Sequence, residues 1–124
     1  MLQIAAILHD VGNYIGVHNH YLHSDYIIHH SDIIGLSDEE RKIIAAITRY
    51  HSVTTPSDDL SHFKQESLEN RRTIAKLASI LRLADALDDD RQQKIKKISV
   101  SIKEKTVVIT GFSNANLAFE NWVF

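Results

Sequence analysis

Six of the eight histidines in this 124-residue chain fall between His9 and His30. Their spacing suits metal chemistry. His20 and His23 are three apart and His30 follows His20 at ten, so on a helix all three share one face. Imidazoles at i and i+3 can converge on one ion. His9 and Asp10 are adjacent, and neighbouring helical residues point about 100° apart. They therefore do not face each other, but at a helix end both reach a common ion. His51 sits four residues after Ile47 and seven after Ile44, extending their apolar stripe. A helix C-terminus favours histidine as well, so a core or helix-end histidine is the plainer reading. Asp85 stands on the face formed by positions 74, 77, 78, 81, 84, 85 and 88. A carboxylate there must pair or bind metal to offset its burial; Arg49 and Arg82 are candidate ion-pair partners. His18, His29 and His62 read as surface or loop residues.

The elements that position these groups follow from pattern and punctuation. A first helix is expected from about Leu2 to His9, with Ile4, Ile7 and Leu8 as its stripe, ending near Gly12. A second covers His20 to His30. A third starts at Ser37, where Ser37 and Glu40 fit a capping box, and runs through Ile43, Ile44 and Ile47 to about His51. Pro56 marks the following loop. A long fourth helix spans Leu68 to Asp88, with Ile74, Leu77, Ala78, Leu81 and Ala84 on one face. After Asp90 the period changes from helical to two. Ile98, Val100 and Ile102 alternate with Ser99, Ser101 and Lys103, Val107 and Ile109 with Thr106, Val108 and Thr110, and Leu117, Phe119 and Asn121 with Ala118, Glu120 and Trp122. Short turns at 103–105 and 111–114 connect these runs. The expected class is α+β: a mainly helical domain over residues 1–90, then a three-stranded antiparallel β-meander over 91–124. The chain stops at Phe124 within an apolar run, which predicts a further element beyond it.

Composition narrows the function classes. Hydrophobic residues make up 44% and charged residues 24%, as in a globular domain, and the length suits one. The absence of cysteine excludes a disulfide scaffold, a thiolate zinc site and a cysteine nucleophile. A net charge of −2 argues against specific DNA binding. No apolar run approaches the ~20 residues of a membrane span, and no signal peptide opens the chain; a cytoplasmic protein without a membrane partner is expected. The charge is uneven. Arg91, Lys94, Lys96, Lys97, Lys103 and Lys105 face one acid, Glu104, giving +5 locally and −7 elsewhere. Such a strip attracts a polyphosphate chain; an ordinary solvated surface is the equal alternative.

The string Leu8-His9-Asp10-Val11-Gly12 resembles the signature of the HD-domain superfamily of metal-dependent phosphohydrolases. Four further segments follow in order: Tyr21 to Ile28, His30 to Ser37, Arg49-Tyr50-His51, and Leu81 to Leu87. The series is similar to the C-terminal region of the exopolyphosphatase / guanosine pentaphosphate phosphatase (Ppx/GppA) family, over about residues 2–90 by motif. The tail ending in Glu120-Asn121-Trp122 also fits that family. The resemblance implies an HD-like helical core and a divalent metal, with imidazole and carboxylate suiting Mn, Fe, Zn or Mg. It assigns His9, Asp10, His23, His51 and Asp85 as ligands, with His20 as second choice. Arg49, beside His51, and Lys94, Lys96 and Lys97 in the basic strip are candidate phosphate contacts. The implied partners are polyphosphate or a guanosine polyphosphate, and a second copy in a homodimer. The implied role is to assist removal of terminal phosphate by two catalytic lobes outside this chain. Two expected parts are absent: a histidine from a helix before the His-Asp pair, and a last helix after the strands. Two other readings stand beside this one. The first is a stand-alone HD-type phosphohydrolase acting on nucleotides or cyclic dinucleotides, and the second is a structural dimerisation module.

Overall fold

Ser37 starts a strongly amphipathic helix. Its hydroxyl accepts the Glu40 N–H at 3.2 Å, and the Glu40 carboxylate accepts the Ser37 N–H at 2.9 Å, closing the expected capping box. Helix α3 (Asp38–Arg49) carries Asp38, Glu39 and Glu40 in its first turn and Arg49 in its last, matching the helix dipole at both ends. It buries Ile43, Ile44, Ala45 and Ile47. In the computed structural model, which describes residues 1–52 and 63–118, three further α-helices pack by the same logic. These are α1 (Leu2–Leu8), α2 (His20–His29) and α4 (Leu68–Ala86). A 3-10 turn (Val11–Tyr14) lies between α1 and α2. Asn19 precedes α2 in the left-handed region at φ 59°, which asparagine tolerates better than most residues. No helix among the described residues is long and apolar enough to cross a membrane.

Contacts divide the chain into two units, Met1–Arg82 and Leu83–Phe124. The first holds the core: Ala5 of α1, Ile28 of α2, the α3 isoleucines, Tyr50, and Ile74, Ala78 and Leu81 of α4. Full burial of a side chain such as Ile44 or Ile47 contributes roughly 1.5–3 kcal/mol. Of the predicted stripe of α4, Ile74, Ala78 and Leu81 are buried and Leu77 packs against them, whereas Ala84 is exposed.

The second unit contains an antiparallel hairpin, β1 (Lys97–Lys103) and β2 (Thr106–Phe112). Its register sets Ile98 against Gly111, Val100 against Ile109 and Ile102 against Val107, so one face is apolar throughout. Every residue of both strands is exposed. The expected three-stranded meander is overturned: the described residues contain two strands, not three. Leu117 and Ala118 pair with neither strand, and Phe119, Asn121 and Trp122 lie outside the described residues. The physical reason is local. The Ser113 hydroxyl takes the Ala115 N–H at 2.9 Å, and the Asn116 side chain takes the Ala118 N–H at 2.9 Å. Side chains thus capture donors that a strand would offer to a neighbour. Pro56 and His62 also lie outside the described residues.

Candidate metal centre

Three histidines of the first unit share one arrangement. His9 sets its Nδ1 2.7 Å from the Ala6 carbonyl and His20 sets its Nδ1 3.2 Å from that of Val17. His51 does the same with the Thr48 carbonyl. In each case the acceptor lies three residues back in the chain. A carbonyl only accepts, so each Nδ1 carries a proton, which leaves Nε2 as the atom through which a neutral ring would bind an ion. A backbone oxygen fixing the ring in this way is the usual support of a metal-bound imidazole.

The Nε2 atoms meet at one place. Those of His20 and His51 are 3.2 Å apart. The Asp10 carboxylate stands 3.5 Å from His20 Nε2 and 3.4 Å from His9 Nε2. Ligand atoms of His9, Asp10 and His51 all fall within 4.8 Å of one another. The His9 and His51 rings meet edge-on with centroids 5.0 Å apart. Two Nε2 lone pairs in contact repel unless a proton or a cation lies between them. The donor set of two imidazoles and a carboxylate, from His9, His51 and Asp10, fits a divalent transition metal, and His20 stands beside Asp10 and His51 outside that set.

Each element contributes for a local reason. His9 and Asp10 end α1. His20 opens α2, and His51 follows α3, buried. The Val11–Tyr14 turn is pressed onto α2 at Gly12. A Cβ there would lie 2.1 Å from the His20 carbonyl oxygen and 2.5 Å from the Ser24 nitrogen, so only glycine fits.

The other predicted residues have different surroundings. His23 lies along the Gly12–Gly16 turn, its Nε2 3.9 Å from where a Gly16 Cβ would stand. His30 turns to its own helix, with Nδ1 2.8 Å from the Tyr26 carbonyl, and is exposed. Arg49 donates to Asp25 at 2.8 Å. In the second unit, Arg91 donates to Asp85 at 2.7 Å, where the sequence suggested Arg49 or Arg82. Lys94 pairs with Asp90, and Lys97 lies 5.8 Å from the centre of the Phe112 ring. Sequence reasoning missed Ser24, wholly buried and bonded to the His9–Gly12 turn. The signal was a small polar residue four after His20 and four before Ile28, on the same helical stripe.

Comparisons with known proteins agree with the motif order. The family described as Ppx/GppA phosphatase, domain III, matches residues 1–122. The chain is also similar to the guanosine-5'-triphosphate,3'-diphosphate pyrophosphatase of Pseudoalteromonas translucida (strain TAC 125), with 28% identity over 123 residues. That alignment takes in 98% of this chain and 22% of the relative's length. The chain belongs to the Ppx/GppA phosphatase family and matches it over domain III.

Proposed function

We propose that this chain serves a polyphosphate or guanosine polyphosphate phosphatase as an HD-like C-terminal domain, binding the substrate's phosphate chain and pairing with a second copy. The observation that carries the binding role is the meeting of ligand atoms of His9, Asp10 and His51, with His20 Nε2 beside Asp10 and His51. His9, Asp10 and His51, with His20, would hold a divalent cation; Mn, Fe, Zn and Mg are the candidates. A bound cation supplies polarisation of a phosphate oxygen and a lowered pKa for a bound water. The backbone carbonyls of Ala6, Val17 and Thr48 keep the Nε2 atoms aimed inward. Asp10 supplies negative charge that neutral imidazoles lack. For His23 and Asp85 the ligand role rests on the family resemblance. Lys96 and Lys97 add a positive field for a polyanion, with Lys94 already beside Asp90. Pairing with a second copy rests on the resemblance, and light scattering of the purified chain reads it directly.

Calorimetric titration with Mn²⁺ or Zn²⁺ tests the binding role. Wild-type chain should take up cation, and polyphosphate should then bind more tightly than without it. His51→Ala should lose cation binding beyond detection while the far-ultraviolet helical signal persists. No uptake by the wild type removes the reading. The same cluster supports a second reading, a phosphohydrolase active without other lobes. Turnover of bis-p-nitrophenyl phosphate by the isolated chain would favour that one.

A further inference from the structure

Ser24 is wholly buried in α2, yet its hydroxyl is fully occupied outside its own helix. It donates to the His9 carbonyl at 2.6 Å and accepts the Gly12 N–H at 2.9 Å. The two bonds bracket Asp10, one residue before it and two after it. Asp10 has φ −99° and ψ 4°, in the sparsely populated bridge region. His30 after α2 and Tyr50 after α3 share this conformation, so it marks the point where α1 has ended and the chain must be held by other contacts. With the chain held on both sides, the Asp10 carboxylate reaches both His9 and His20. The contact of Gly12 with the α2 backbone sets how far the turn can approach, and the Ser24 hydroxyl sets its rotation.

We infer that Ser24 is the positioning residue of the centre: its hydroxyl clamps the His9–Gly12 turn so that Asp10 faces the imidazole nitrogens. It bonds only backbone atoms of the turn and supplies no ligand atom itself. The functional consequence rests on the cation reading above, whereas the geometric claim stands without it. Replacing the hydroxyl leaves a buried N–H and a carbonyl without their partner, and the turn relaxes to re-satisfy them. Asp10 moves first, because it lies between the two released groups. His51, held from α3 by Thr48, moves least.

The test compares wild type, Ser24→Ala and Ser24→Thr as 124-residue chains. Without metal, long-range nitrogen–proton spectra should show the Nε2 signals of His9 and His20 displaced in Ser24→Ala, and that of His51 nearly unmoved. Ser24→Thr, which restores a hydroxyl, should return them toward wild type. With Co²⁺ as probe, Ser24→Ala should bind about 10- to 100-fold more weakly and shift the visible d–d band. If Ser24→Ala does not fold, Ser24→Cys keeps the volume with a weak S–H donor and should move the same signals. Ring signals and Co²⁺ affinity unchanged in a folded Ser24→Ala overturn the inference. A wild type that takes no Co²⁺ overturns the cation reading instead, and the metal-free spectra then decide the clamp alone.

Discussion

Two arginine–carboxylate pairs set the two units of the chain apart. Arg49 and Asp25 meet at 2.8 Å with side chains only 19% and 16% exposed, and they tie α3 to α2 across 24 positions. Arg91 and Asp85 meet at 2.7 Å, but Arg91 is 50% exposed and the pair spans six positions. The same contrast recurs elsewhere. In the first unit, polar side chains such as Ser24 and His51 are buried and bonded to distant or regular backbone. In the second, Lys94 pairs with Asp90 four positions away, and both hairpin faces meet solvent. Groups fixed by a packed frame can define a point in space to within a fraction of an ångström, which a metal centre requires. Groups fixed by short local bonds define a field, which is enough to attract a polyanion.

Gly12→Ala attacks the frame most directly. The new methyl would stand 2.1 Å from one backbone atom and 2.5 Å from another, and neither can swing aside as a side-chain tip does. Overpacking of this kind costs about 1–3 kcal/mol or more. The melting temperature should fall by roughly 4–8 °C per kcal/mol for a domain of this size. Cation uptake should fall with it, since the turn carries Asp10. A Gly12→Ala chain as stable as wild type would mean that the turn is not bound to its helix as described.

The two arginines come next. Arg49→Ala leaves a mostly covered Asp25 carboxylate behind, and with some solvent screening the loss should be about 2 kcal/mol. Arg91→Ala removes a partly exposed pair and should cost less than about 1 kcal/mol. Urea denaturation of both variants reads the difference. Equal costs would erase the distinction between the units. Arg49→Ala also bears on the proposed phosphate contact: a residue held by Asp25 should matter more to stability than to polyphosphate affinity.

The parts that sequence made legible are those decided within a turn or two of chain. The Ser37–Glu40 box, the buried stripe of α3 and the Ile74–Ala78–Leu81 face depend on spacing and little else. The His9–Asp10 pair was visible at a helix end within the Leu8–Gly12 string, and His51 as a polar residue extending an apolar stripe. Which α2 histidine reaches His51 was not. His20 and His23 have equivalent spacing, and the outcome depends on how Gly12 seats the intervening turn against α2. The Asp85 partner was hidden for a related reason: Arg91 returns to it through a left-handed backbone at φ 57° that no periodicity announces. The third strand failed because alternation marks a candidate strand, while pairing needs free donors, and Ser113 and Asn116 take those donors locally.

Two half-buried carboxyls, one in each unit, give the finest version of the contrast. The Ser37 backbone N–H, followed by its hydroxyl, holds Glu40 below its ordinary value of 4.5. The Lys94 side chain, as the largest cause, holds Asp90 below its ordinary value of 3.8. Both titrate lower in the folded chain than in the unfolded one. Each therefore adds stability above its unfolded pKa, and that contribution is lost as pH falls through the folded value. Their dependence on salt should differ. The Ser37 amide is a neutral donor, so the Glu40 depression should survive 1 M NaCl. The Asp90 depression draws first on the hydrogen bond from the charged Lys94 side chain, a contact that salt weakens in part as the Debye length shrinks from about 10 Å at 0.1 M salt to about 3 Å at 1 M. Carbon-detected titration of both carboxyls at low and high salt reads the two shifts in one experiment. The expected outcome is a Glu40 midpoint that stays in place and an Asp90 midpoint that rises toward its ordinary value. Ser37→Ala keeps the backbone N–H and removes the hydroxyl, so it should raise Glu40 only part of the way and cost about 1 kcal/mol through the lost cap, leaving Asp90 unmoved. If salt moved Glu40 as far as Asp90, the cap would be a charge effect as well, and the two units would fix these carboxyls by the same physics.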